Sequence, residues 1–598
     1  MKTFFGSLLG AFIGVVVATL VAVFIIIGVI SSALSSDRIV NVKDGSVLHL
    51  TLNGPVVERE PKSEFAKLTG LGDNKKLGLD AIIEAIHRAK DDDKIKGIFL
   101  ETQDVDAGMA TVEEIRVALL DFKSSGKFIY AYGESYSQKG YYLSSVADKL
   151  YLNPQGGMDF KGIGGQIMFF KKMLEKLDIN VQIFRHGKFK SAVEPFDLEK
   201  MSDANRLQTM TYINALWGQM LSGISAERKV SVDSLNSIAT NLRIRNAGDA
   251  VNLRLADATL YYDQVMDELK KVTGKEANDK VEFITLGKYI EAGETGSDDE
   301  DAVPSRNKIA VIYAVGNIES GEGDDETIGS DRIARAIREA REDSSVKAVV
   351  MRVNSPGGSA LASDVIWREV VLTREAKPFV ISMGDVAASG GYYISCGADV
   401  IVAEPNTITG SIGVFGLIPE AGTLLSEQFG ITIDTVNTNK NAGIGSIYRP
   451  VTELEAQVIQ QGVEDVYTTF ITRVADGRGM AVADVDSIGQ GRVWAGIDAL
   501  RIGLVDTLGT LDDAIAIAAR KANLGTDYRI RKLPVQKDPF EDFLNGKDDE
   551  DVKAELTQAF IVQQLSVFRE QYFMFRRSQV LLNAKGVQAR MPYDIIIE

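Results

Sequence analysis

Ala85-Ile86-His87-Arg88-Ala89, running on to Lys96, is matched 251 residues later by Ala336-Ile337-Arg338-Glu339-Ala340, running on to Lys347. The register then holds without a gap. Gly133-Glu134 falls on Gly384-Asp385, Gly140-Tyr141-Tyr142 on Gly391-Tyr392-Tyr393, and Ala147-Asp148 on Ala398-Asp399. Pro154 and Gly162 fall on Pro405 and Gly413, and at an offset of 249 Ala250, Leu255 and Asp257 meet Ala499, Leu504 and Asp506. Self-similarity this long means two copies of one folding unit.

Within each copy the pattern alternates between strand and helix. A short apolar strand (Val47 to Leu52; Ile309 to Ala314) precedes an amphipathic helix (Leu79 to Lys90; Asp331 to Arg341). Strands follow at Gly97 to Leu100 and Phe128 to Tyr132, matched by Ala348 to Val353 and Phe379 to Met383. Such alternation predicts parallel βαβ units, hence an α/β fold in two tandem homologous domains. The expected boundaries are 37–292 and 308–535. Between them lies Gly293-Glu294-Thr295-Gly296-Ser297-Asp298-Asp299-Glu300-Asp301, an acidic run without apolar residues that reads as a solvated linker over 293–307. The remaining tail, 536–598, carries apolar residues at helical spacing from Leu556 to Phe575, as a helix packed on a core or a subunit would.

The N-terminus departs from this plan. Thr3 to Ser36 holds no charge, and Leu8 to Ile30 is almost unbroken apolar sequence. About 20 apolar residues span a bilayer as a helix, and a cleaved signal has a core of only about 7–15, so 1–36 is expected to be a retained membrane anchor. Lys2 before it and the charges after it favour an N-terminus inside and the remainder exported. A net charge of -17 argues against nucleic acid as a partner, and the single cysteine, Cys396, excludes an internal disulfide and cysteine-built structural zinc sites.

Duplicated halves share the residues of the fold, so chemistry is sought where they differ. A strand runs into Met383-Gly384-Asp385-Val386-Ala387-Ala388-Ser389-Gly390-Gly391, and the first half has Gln138 where the second has Ser389. A serine there can be a nucleophile, with its own N–H and the helix N-terminus stabilising an oxyanion; its ordinary role would be an N-cap. Asn354-Ser355-Pro356-Gly357-Gly358-Ser359 replaces Gln103-Asp104-Val105-Asp106-Ala107-Gly108, and its glycines leave N–H groups uncovered for a second oxyanion donor. A serine nucleophile needs a base. His49 and His87 lie in the half without the serine, and nothing around His186 supports a triad. A lysine of lowered pKa can serve instead, and Lys188, Lys190 and Lys440 are the candidates that spacing alone does not separate.

These motifs resemble the signal peptide peptidase A (protease IV) family, peptidase family S49, in its long duplicated form, over nearly the whole chain. Asn354 to Gly358 is similar to the family's oxyanion turn, Gly384 to Tyr393 to its nucleophile segment, and Thr409-Gly410-Ser411-Ile412-Gly413 to a third signature. Lys190-Ser191-Ala192-Val193-Glu194-Pro195-Phe196 is similar to its lysine segment, and Gly491-Arg492-Val493-Trp494 through Asp506 to a structural closing segment. The resemblance implies a ClpP/crotonase-like fold and a Ser–Lys dyad of Ser389 and Lys190, with Ser411 orienting the lysine. It implies oxyanion donors at Gly357 and Ser389, with Gly358 the alternative, and neither metal nor cofactor. Lys440 lies near where half-length relatives carry their base. The implied substrates are remnant signal peptides and other apolar peptides, cleaved outside the bacterial cytoplasmic membrane by a homotetramer. Competing readings are a general protease of membrane-protein fragments, a crotonase-type enzyme of acyl thioesters, and a non-catalytic membrane scaffold.

Overall fold

The computed structural model describes residues 40–61, 76–296, 305–536 and 588–590. The anchor 1–36 and the helix expected near 555–576 lie outside them, and no helix among the described residues is long and apolar enough to cross a membrane. The helix Leu286–Gly296 carries the start of the acidic segment as its last turn, so the break between the halves comes later than the sequence pattern places it.

Each half builds its own parallel sheet. In the first the order is Ala258–Thr259, Lys149–Met158, Phe128–Tyr136, Ile95–Leu100, Ser46–Leu50, Phe283–Thr285, every pairing parallel. In the second it is Val493–Ala495, Ile408–Gly410, Phe379–Ala388, Val346–Ser355, Lys308–Val315, Arg529–Leu533, parallel except at Val493–Ala495. Strands covered on both faces need apolar side chains on both, which is why Ile309 to Ala314 and Ala348 to Val353 read as nearly continuous apolar runs.

Residues the copies share do the same work twice. The Tyr141 hydroxyl donates to the Leu255 carbonyl at 3.1 Å, and Tyr392 to Leu504 at 2.8 Å. Arg228 pairs with Asp257 at 3.0 Å and Arg478 with Asp506 at 2.5 Å.

A third sheet ties the halves together. Asn180–His186, from the first half, pairs antiparallel along its whole length with Val414–Glu420 of the second. Phe184 of that strand is buried in the second half's core beside Val414 and Val463, and Ala192 and Val193 pack on Phe415. Just beyond, Tyr212 and Leu216 of the helix Asp203–Arg228 pack on Ala388, Ile408 and Val493. The stretch from about Asn180 to Leu216 therefore belongs to the first half by sequence and to the second by packing.

Candidate active site

Ser389 stands between the strand Phe379–Ala388 and the helix Gly390–Ser395, fully buried, with φ 56 and ψ -114. A positive φ is costly for a residue with a Cβ and persists only where the surroundings impose it. Here the Ser389 N–H donates to the Gly410 carbonyl at 2.8 Å, and Ser411, also at positive φ (49), donates its N–H to Arg492 O at 2.7 Å. The Ser389 hydroxyl makes no N-cap bond. It faces Lys190 instead, whose Nζ lies 2.8 Å from Ser389 Oγ and 3.1 Å from both Oγ and O of Ser411.

Lys190 reaches this point because the strand Asn180–His186 lies on Val414–Glu420, which itself begins three residues after Ser411. The approach is then fixed from three sides. Phe189 N donates to Gln490 O at 3.0 Å. Buried Gln208 donates through Nε2 to Phe189 O at 3.0 Å and to Ser191 Oγ at 2.9 Å, while its Oε1 accepts from Val493 N at 3.1 Å. Gly491, at φ +80, lies so close that a Cβ there would sit 2.6 Å from the Lys190 backbone. Lys190 is 0% exposed, and burial alone holds its amine well below the usual lysine range. A neutral amine within hydrogen-bond reach of a buried hydroxyl can take that hydroxyl's proton.

The turn Asn354 to Gly358, expected to hold an oxyanion, lies beside the serine segment, with Ser355 opposite Ala387. Gly357 takes φ 101, a backbone region open to glycine. Its N–H donates to Ser355 Oγ at 3.1 Å, and Gly358 lies beside Ile318 in the third sheet. Asn354 fixes the turn against both halves, donating to Glu58 Oε1 at 2.8 Å and accepting from Val386 N at 3.1 Å.

A family model described as Peptidase family S49 matches residues 121–276 and again 372–525, once in each half. The chain belongs to peptidase family S49. It is 41% identical over 456 residues to Protease 4 of Salmonella typhi, covering 74% of this chain and 72% of that one. It is 33% identical to the chloroplastic serine protease SPPA of Arabidopsis thaliana, over 92% of this chain and 78% of that one. Among solved structures it is similar to a ClpP1 mutant from Listeria monocytogenes at 13% identity, covering 34% of this chain and 94% of that one with a TM-score of 0.24.

For this S49 serine protease, the structure separates the sequence candidates. Lys190 and Ser411 come together on Ser389. Lys188 is exposed, its ammonium 5.1 Å from the centre of its neighbour Phe189's ring. Lys440 is exposed in the 431–447 loop. None of the three histidines approaches the serine: His49 meets Glu101 at 2.8 Å, His87 meets Asp512 at 3.6 Å, and His186 meets Glu464 at 2.5 Å while stacking on Tyr467. One expectation is corrected. The Ser389 amide is spent on Gly410 and so does not point at an oxyanion; the N–H of Gly390 belongs to the first helical residue, one of the groups a helix leaves unpaired. Sequence reasoning passed over Gly390, Gln208 and the lysine-facing role of Gly491. The last of these lay in plain view within the Gly491-to-Trp494 motif.

Proposed function

We propose that the chain cleaves peptides with Ser389 as nucleophile and Lys190 as general base, and that its substrates are remnant signal peptides and similar apolar segments. The observation that carries this reading is the fully buried Lys190 Nζ at 2.8 Å from Ser389 Oγ. Neutral Lys190 takes the hydroxyl proton as Oγ attacks the peptide carbonyl. The same amine returns that proton to the leaving nitrogen, and water then repeats the cycle on the acyl-enzyme. Ser411 holds Nζ on line through both its oxygens, which makes it a positioning residue. Gly358 on one side and Gly390 on the other are the amides this reading assigns to the oxyanion, since the Gly357 N–H is already donated to Ser355 Oγ at 3.1 Å.

Residues 1–36 suit a membrane anchor, which would hold the enzyme outside the bacterial cytoplasmic membrane, where signal peptides are left after export. Exposed apolar residues suit the homotetramer of this reading: Phe429, Ile431 and Val436 in the second half and Met168, Met173 and Leu177 in the first. Gln428 donates to Asp178 at 3.0 Å, so these two stretches adjoin within one chain, where a neighbouring copy can cover both.

The test is hydrolysis of a fluorogenic apolar signal-peptide sequence by detergent-solubilised protein, wild type against Ser389→Ala. Turnover that vanishes in the variant while thermal unfolding is unchanged supports the reading. Equal turnover in both sinks it.

A further inference from the structure

The ladder between the strand Val346–Ser355 and the strand that ends at the serine breaks at one residue. Val353 lies opposite Met383 and Ser355 opposite Ala387, so Gly384, Asp385 and Val386 stand against Asn354 alone. The Asn354 side chain fills the gap. Its Oδ1 accepts from Val386 N at 3.1 Å, which fixes the amide's orientation, and its Nδ2 then donates to Glu58 Oε1 at 2.8 Å. The other oxygen of that carboxylate accepts from Arg352 Nε at 2.9 Å. Gly384 leaves the room for this: a Cβ there would sit 2.6 Å from Glu58 Oε1.

Two N–H donors of the second half thus converge on one buried side chain of the first, and both are held from behind. Val386 pins the amide, while Arg352 is committed through Nη1 to Glu114 Oε1 at 2.6 Å and Ser382 Oγ at 2.9 Å. A carboxylate offers an acceptor to each donor, whereas a glutamine would turn an N–H onto one of them. Glu58 is itself anchored on both sides. Val56 N donates to Asp106 O at 2.9 Å, and Arg59 donates to Pro534 O at 3.0 Å. In the first half's own turn Gln103 and Glu101 stand at the positions of Asn354 and Arg352, so the pair of donors is particular to the half with the serine.

Asn354 opens the turn that carries Gly358, and Val386 lies three residues before Ser389. Resting on the Ser–Lys reading above, we propose that Glu58 is a positioning residue for peptide cleavage, setting through Asn354 the placement of the Gly358 amide relative to Ser389. The first half then supplies a lysine on one side of the serine and a brace for the oxyanion turn on the other. Its effect falls on the transition state, where the oxyanion exists, and little on substrate binding.

Steady-state hydrolysis of the fluorogenic peptide tests this with Glu58→Gln and with the paired variant Glu58→Gln/Asn354→Asp, rates being expressed per folded molecule. In the pair one hydrogen bond is reversed, the new glutamine donating to the new aspartate, so every donor again has an acceptor and the net charge is unchanged. Glu58→Gln should lower kcat about 10- to 100-fold with KM within about twofold, and the pair should recover most of that loss. The acid limb of the pH profile should stay in place, because Lys190 is untouched. A wild-type kcat in Glu58→Gln, a loss confined to KM, or a loss that the pair does not recover overturns the proposal and leaves the dyad standing. A shifted acid limb also overturns it, since Glu58 would then act on the lysine. A wild type that hydrolyses no peptide overturns the proposal together with the reading on which it rests.

Discussion

The two halves carry the same strand, turn and helix in the same register, yet only one of them holds a serine at the Ser389 position. Where the second half has Ser389, the first has Gln138, almost fully buried and turned into structure. Its Oε1 accepts from the N–H groups of Lys161 and Gly162, each at 3.0 Å, and its Nε2 donates to Gly162 O at 3.3 Å. Where the second half has Ser411, the first has Phe160, buried edge-on against Tyr141 at 6.0 Å. The lysine is divided the other way. The first half sends Lys190 across on the strand Asn180–His186, while the corresponding region of the second, around Lys440, is an exposed loop. On the proposed reading, duplication has let one copy keep the nucleophile and the other the base. The Ser389–Lys190 pair forms only when the halves are docked, so that reading couples the stability of their interface to the activity.

The sharpest break of this arrangement is Lys190→Ala. It should lower kcat/KM by a factor on the order of 10⁴ or more, as loss of a general base from a nucleophile pair does, while Lys440→Ala leaves it unchanged. Full activity in the Lys190 variant would end the assignment. Because burial lowers the Lys190 pKa, the acid limb of the kcat/KM profile should follow that lowered value, with activity lost as pH falls and the amine takes a proton. Stability carries the same sign. Between the lowered folded pKa and the unfolded value of about 10.4 the unfolded chain binds the extra proton, so stability declines as pH falls through that window. Lys190→Met removes the term. It should be inactive yet more stable at neutral pH by about 1–2 kcal/mol in denaturant unfolding, and a less stable variant would show that the lysine's hydrogen bonds outweigh its burial.

Next in size is the ion cluster between the halves. Arg352, fully buried, meets Glu58 at 2.9 Å and Glu114 at 2.6 Å, both from the first half. Its repeat counterpart, Glu101, pairs with His49 near the surface instead. Asp385 reinforces the junction by accepting from Ala110 N at 2.9 Å and Thr111 N at 3.0 Å, at the start of the helix Met109–Lys123. Burial pushes Glu114 up to about 7 even with Arg352 against it. Arg352→Met leaves these carboxylates without their cation and should cost about 3–5 kcal/mol in denaturant unfolding, with peptide hydrolysis falling in parallel. A loss below about 1 kcal/mol would mean that packing alone holds the halves together.

Much of this was legible in the sequence, for reasons that differ residue by residue. The repeat exposed the fold because strand and helix periods recur in register, and it exposed Ser389 because Gln138 breaks that register. Lys190 was one of three equal candidates until the family motif selected it. No spacing rule reveals that Asn180–His186 will pair with a strand more than two hundred residues away. The Arg352 cluster did leave a sign, a lone arginine inside Val349-Val350-Met351-Arg352-Val353, but its partners come from the other half. Gln208 left none, because a glutamine on a helix has no distinctive pattern before the helix is docked.

Gly491→Ala sharpens the comparison from the side of the lysine. The added methyl would collide with the Lys190 backbone and strain a positive φ, so the amine should shift by a fraction of an ångström. A misplacement of about 1 Å can cost 10²-fold, and a kcat loss of roughly 10- to 100-fold with KM little changed is expected from steady-state kinetics. An unchanged kcat would show that the segment yields and that Gln208, the Phe189–Gln490 bond and Ser411 suffice to position the lysine.

The smallest effect belongs to the silent site itself. Gln138→Ala strips the N–H groups of Lys161 and Gly162 of their acceptor and should lower stability by about 1–2 kcal/mol, read as a shift in the denaturant midpoint. Hydrolysis should be untouched, because Gln138's hydrogen-bond partners are Lys161 and Gly162 and not Ser389, Lys190 or Ser411. Gln138→Ser should likewise give no second active site: Phe160 occupies the place of the orienting hydroxyl, and the region that would bring a lysine is turned to solvent. A tenfold fall in kcat with Gln138→Ala would reveal that the first half's cleft shapes the second's. It would then be a working part of the enzyme and no longer only the frame that delivers its lysine.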